Sequence, residues 1–127
     1  MLELDYVIAI HDEILRDFGG LSGYASIDRI QAALNRVETH AYYAGIEDVF
    51  GIAAMYTVAI ARGHVFSDAN KRTALTCALT YLEKQDIFIP RTRELENVVV
   101  QVAEGEVDQE PFAAYLSALW VINKSDI

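Results

Sequence analysis

The chain is poor in cysteine, in basic charge and in long apolar runs. Its one cysteine, Cys77, rules out an internal disulfide and a Cys-rich zinc site. Set among Ala74, Leu75, Ala78 and Leu79, it reads as a small core hydrophobe. Ten Lys and Arg face nineteen Asp and Glu, for a net charge of -9. A nucleic-acid binder displaces counterions with a basic stripe, and none is visible, so direct DNA or RNA binding is not expected. No uninterrupted apolar stretch approaches the roughly 20 residues that span a bilayer. Residues 1–14 are broken by Glu3, Asp5, Asp12 and Glu13 and lack the positive start of a signal peptide. The expected compartment is therefore the cytoplasm. Repeats, linkers and low-complexity segments are also missing, which predicts a single domain over 1–127.

What the chain does have is apolar residues, 53% of 127. A domain of this length can bury roughly two thirds of its unfolded surface. Leu4, Val7, Ile8, Ile14 and Phe18 recur at helical spacing until Gly19-Gly20 stops the pattern. The segment from Gly19 to Gly23 reads as a tight loop. A second helix is expected from Ser26, a suitable N-cap, with Ile30, Ala33, Leu34 and Val37 on one face. Ile46 to Arg62 is apolar or small almost throughout, with Glu47 and Asp48 at its start and Gly63 placed for a left-handed C-cap. Ala69 to Gln85 reads the same way, and helices apolar all round are buried. Ile87-Phe88-Ile89-Pro90 suggests a brief extended stretch. Further helices are predicted from Thr92 to Glu104, with Leu95, Val98, Val99 and Val102 inward, and after Asp108, with Phe112, Leu116, Leu119 and Trp120 buried. The expectation is an all-α, six-helix, bundle-like fold with two buried central helices.

The short connection between those two helices carries the chemistry. A helix starting near Asp68 turns free N–H groups and the positive end of its dipole outward, which suits an anion. Lys71 and Arg72 fall in its first turn, where positive charge opposes the dipole unless an anion is bound; Arg72 can grip phosphate oxygens in pairs and Lys71 adds a point charge. Arg62 brackets the same region. Asp68 is the right type to hold Mg2+, which takes hard oxygen ligands together with substrate phosphates. His64 is the right type for a general base. Each also has an ordinary reading: His64 as a C-terminal residue, Asp68 as an N-cap, Asn70 as a turn residue and Phe66 as a core anchor.

The run His64-Val65-Phe66-Ser67-Asp68-Ala69-Asn70-Lys71-Arg72 resembles the Fic/Doc family, whose core reads His-x-Phe-x-Asp/Glu-Gly-Asn-Gly/Lys-Arg, and is most similar to its Doc branch. Phe18-Gly19-Gly20-Leu21-Ser22-Gly23 looks like the Doc glycine loop, and Ala61-Arg62-Gly63-His64 like the approach to its catalytic loop. The resemblance implies an all-helical fold, His64 as catalytic base, Asp68 as Mg2+ ligand, and Ala69, Asn70, Lys71 and Arg72 along the nucleotide phosphates of ATP. Ala69 and Lys71 depart from the glycines of nucleotide-transferring members, and Leu75 stands where a second arginine is expected. These departures argue for transfer of the terminal phosphate, and the resemblance to Doc implies that the γ-phosphate goes to a hydroxyl of a translation factor, elongation factor Tu, which halts translation. The resemblance further implies an antitoxin whose disordered C-terminal segment folds as a helix into a groove near the site. No long inhibitory extension is visible, so inhibition in trans is expected.

Three other readings compete. AMP transfer to a protein hydroxyl suits His64, Asn70 and Arg72 equally well. A metal-dependent phosphohydrolase is suggested only by His11-Asp12, and one such dipeptide on an amphipathic first helix reads as a solvated face. A helical interaction module without activity is opposed by the intact set His64, Asp68, Asn70 and Arg72.

Overall fold

In the computed structural model, which describes residues 1–24, 26–46 and 48–125, six helices follow in order: α1 (Leu4–Phe18), α2 (Ile27–Ala44), α3 (Val49–Gly63), α4 (Asn70–Lys84), α5 (Arg93–Ala103) and α6 (Gln109–Ser125). The described residues form no named strand; one isolated antiparallel bridge joins Tyr24 to Phe66. The all-α expectation holds.

The centre of the molecule is the pair α3 and α4. Helix α3 packs on α4, α6, α2 and α5, while α1 lies against α4. This follows from composition. Every residue of α3 from Phe50 to Thr57, and Ile60 and Ala61 beyond, is buried, so the helix has no face to give to solvent. The small residues Ala53, Ala54, Ala74 and Ala78, none of them exposed, permit close approach. Larger groups such as Leu82, Leu95, Phe112 and Leu116, also fully buried, each contribute about 1.5–3 kcal/mol by leaving water. Cys77 sits in this core, and burial pushes its thiol up to about 12, which leaves it an inert hydrophobe as expected.

Three of the helix starts are set by local side chains. Ser26 accepts from the N–H of Arg29 at 3.1 Å, and Thr92 accepts from Leu95 at 3.1 Å. Asp48 caps α3, accepting from Phe50 and Gly51 at 3.2 Å each. The helix therefore begins three residues later than its apolar run suggests, since a carboxylate that close to free N–H groups holds them best from outside the helix. Glu47, expected in the same first turn, lies outside the described residues.

The C-terminus of α3 corrects the sequence reading. Gly63 is the last helical residue, and the left-handed cap is His64, at φ 48° and ψ 44°. Arg29 donates to the Gly63 carbonyl at 3.3 Å, tying down the last turn.

Toward the other end, the Ile87-Phe88-Ile89 stretch forms no strand. It keeps the alternation of an extended chain, with Ile87 and Ile89 buried and Phe88 exposed. Of the residues expected inside α5 and α6, Leu95, Val99, Val102, Phe112 and Leu116 are buried, whereas Val98, Leu119 and Trp120 are only half-buried.

Candidate functional site

Two loops meet over the start of α4. The segment after α1, Gly19 to Tyr24, runs beside residues 64–69, and the N–H of Ser67 donates to the carbonyl of Gly23 at 2.9 Å. Asp68 completes the seam. Its Oδ2 accepts from the N–H of Leu21 at 3.1 Å, and its Oδ1 accepts from the N–H of Ala69 at 2.8 Å. These backbone donors, Leu21 first and Ala69 second, hold the carboxyl below the usual carboxylate range, with smaller help from the charges of His11 and Arg72. Asp68 is exposed and anionic at neutral pH.

The seam requires glycine at position 20. Its φ of +124° is one that L side chains rarely adopt, and an added Cβ would lie 2.8 Å from Asp68 Oδ2. A side chain here would displace the carboxylate from its Leu21 donor.

Left-handed residues bracket the second loop, His64 at φ 48° and Ala69 at φ 64°. Neither is glycine, and such a conformation costs roughly 1–2 kcal/mol for most L residues. The loop between them is held by Asn70, whose side chain accepts from the N–H of Phe66 at 3.1 Å and donates to the Phe66 carbonyl at 3.0 Å. Phe66 itself is buried, as an anchor should be. Asn70 thus engages both ends of its amide in shaping the loop, a role that residue type alone does not disclose.

Behind the loop, α4 starts without a capping side chain, because its N-cap is Ala69. Its first-turn N–H groups open on a cleft of about 770 Å³ whose lining includes His64, Asp68, Ala69, Asn70, Lys71 and Arg72. All six sequence-predicted site residues therefore share one cavity. Leu75 also lines it and is buried, so the second turn of α4 offers the cavity an apolar contact and no charge. The guanidinium of Arg72 lies 4.4 Å from the centre of the Phe18 ring, a cation–π contact that steers it, and Phe18 itself stays 66% exposed.

Two sequence readings fail here. Arg62 does not join the cationic wall: it donates to the carbonyls of Val102 at 2.7 Å and Val107 at 2.9 Å and pairs with Asp108 at 3.2 Å. It sits at the end of α5, where the negative end of the helix dipole favours a cation. His11 is not on a solvated face either. Asp12 is exposed, but His11 is 1% exposed, because the 64–69 loop covers that side of α1. No group of three His, Cys, Asp or Glu that could hold a metal occurs among the described residues. Arg91 and Glu96, which line the far side of the cleft, escaped the sequence reading. Arg91 donates to Thr76 Oγ1 at 2.7 Å and lies 3.6 Å from Glu96, contacts that no local pattern signals.

A single carboxylate cannot hold Mg2+ unaided, but Mg2+ commonly takes one or two carboxylates and completes its shell with phosphate oxygens and water. Asp68, anionic and beside an open helix start, fits that donor set. The arrangement gathers an imidazole, a carboxylate and the cationic side chains Lys71 and Arg72 around the uncapped start of one helix. The chain belongs to the Fic/DOC family, which its residues 1–82 match. It is also similar to the protein described as "Protein kinase doc" of Escherichia phage P1, at 40% identity over 114 residues that cover 90% of each chain. No described helix is long and apolar enough to cross a membrane.

Proposed function

We propose that this chain is a Doc-type toxin, a protein kinase that moves the γ-phosphate of ATP to a hydroxyl of a translation factor, elongation factor Tu being the expected target. The observation that carries the reading is the convergence of His64, Asp68, Lys71 and Arg72 around the uncapped start of α4 in one cleft. The 40% identity to a relative described as a protein kinase supports the same chemistry.

In this mechanism, the open N–H groups of α4 and the side chains of Lys71 and Arg72 hold the phosphates and offset charge as it spreads in the transition state. His64, exposed at the mouth of the loop, accepts the proton of the incoming hydroxyl. The oxygen of that hydroxyl bonds to the γ-phosphorus as the bond to the bridging β–γ oxygen breaks, and ADP leaves. Asp68, together with the phosphates, would hold Mg2+, which would supply charge neutralisation there. Asn70 acts by holding Phe66 and so the loop that presents His64, and Ala69 brings its N–H and its left-handed turn. The working unit is the single domain 1–127, acting in the cytoplasm.

Lys71 favours the terminal phosphate as the group presented, since a long side chain narrows the cradle, and Leu75 leaves the second turn of α4 without a cation of its own, the neighbouring one being Arg91 on Thr76 Oγ1. An antitoxin with a disordered C-terminal segment is the expected partner. Exposed Phe18, Leu21 and Ile27 near the glycine loop offer the apolar contacts that a helix folding on the surface would cover. ATP labelled at the γ or the α position tests the reaction: label from the γ position in the target supports the kinase, and label from the α position replaces it with AMP transfer.

A further inference from the structure

His11 is a buried polar group outside the set that handles phosphate. Its Nε2 stands 3.0 Å from the backbone carbonyl oxygen of Asp68; a carbonyl only accepts, so Nε2 carries the proton and donates. The ring lies flat on Phe66, with centroids 3.8 Å apart and planes 9° from parallel. Its other nitrogen, Nδ1, faces the Asp12 carboxylate at 3.8 Å. One imidazole thus grips the 64–69 loop at two points.

The carbonyl it binds belongs to the peptide group joining Asp68 to Ala69. That group is planar, and its other end is the Ala69 N–H that donates to Asp68 Oδ1 at 2.8 Å. The His11 bond therefore sets the rotation of a plate whose opposite edge holds the carboxylate. We propose that His11 is a positioning residue for the Asp68 carboxylate, acting through the Asp68–Ala69 peptide plane. The alternative, a histidine satisfied in the core for stability alone, makes the same contacts but gives Asp68 no dependence on them. The inference rests on the proposed role of Asp68 beside the nucleotide phosphates and extends it to a residue 57 positions earlier.

The test uses the full chain. His11→Phe keeps a flat ring on Phe66 and removes the donor, whereas His11→Gln keeps a donor and removes the ring. Amide hydrogen exchange at Ala69 reads the peptide plane directly, and electron paramagnetic resonance of Mn2+ titrated in the presence of ADP reads the carboxylate. Folded His11→Phe is expected to melt near the wild-type temperature, to exchange the Ala69 amide faster and to bind Mn2+ about tenfold or more weakly, the usual scale for losing a group that orients a ligand. His11→Gln is expected to keep most of both properties. Wild-type exchange and wild-type Mn2+ affinity in His11→Phe overturn the proposal. If His11→Phe does not fold, a folded His11→Gln that has lost Ala69 protection overturns it, and one that retains protection supports it. Failure of the wild type to bind Mn2+ with ADP removes the assigned role of Asp68, while exchange at Ala69 still decides whether His11 orients the plane.

Discussion

The carboxylate of Asp68 accepts from the backbone N–H of Leu21 across 47 positions of sequence, at 3.1 Å. That one bond draws the glycine loop against the start of α4 and fixes a carboxylate that lines the cleft. It is possible because residue 20 has no side chain. Gly20→Ala is expected to cost about 1–3 kcal/mol, from a backbone conformation hostile to alanine and a Cβ 2.8 Å from Asp68 Oδ2. It should also lower phosphoryl transfer more than its stability loss explains. Urea unfolding beside an assay well below the melting temperature separates the two effects.

The same donors govern pH dependence. Asp68 is held below the usual carboxylate range by the Leu21 and Ala69 N–H groups. A carboxyl lowered on folding adds stability above its unfolded pKa and loses that contribution as pH falls through its folded pKa. Asp68→Asn should thus show its largest stability deficit, small for so exposed a group, from neutral pH down to about pH 4, the ordinary carboxylate value. The deficit should shrink in more acidic solution. Melting curves of both proteins across that range check the sign; a deficit that grows on acidification contradicts it.

His64 sits in a left-handed conformation, so alanine there confuses lost chemistry with added strain. Asparagine tolerates that conformation and cannot act as a base. His64→Asn is expected to melt close to the wild type and to transfer phosphate about 100- to 10,000-fold more slowly, the usual contribution of a general base. A folded, fully active His64→Asn would exclude the proposed role of the imidazole.

Arg62 ties α3 to the end of α5 through Val102, Val107 and Asp108. Arg62→Ala leaves those half-buried carbonyls without their charged donor, and a loss of about 1.5–3 kcal/mol is expected. Affinity for ATP should not change, because the side chain points away from the cleft. Denaturation together with nucleotide titration distinguishes this from a phosphate-binding arginine.

Much of the fold was legible in the sequence because its signals are local. Apolar periodicity, the hydroxyls of Ser26 and Thr92 and the saturated apolar content of α3 act within one or two helical turns, and they place the six helices to within a few residues. The candidate site was legible as a list, since His64 to Arg72 are consecutive around one helix start. Their division of labour was less so. That both ends of the Asn70 amide engage Phe66 is not signalled by residue type, and Arg62 looks like part of the cationic group until α5 is in place.

The sequence by itself determined the helices, the buried α3–α4 pair and the presence of an imidazole, a carboxylate and cations at one helix start, because nearest neighbours along the chain decide each of these. Only tertiary structure decided that His11 is buried under the 64–69 loop, that Gly20 abuts Asp68, and that the left-handed turn falls on His64. Those outcomes depend on which surfaces of α1, α4 and the two loops come to share a boundary. Contacts across some fifty residues of chain leave no period or spacing in the sequence.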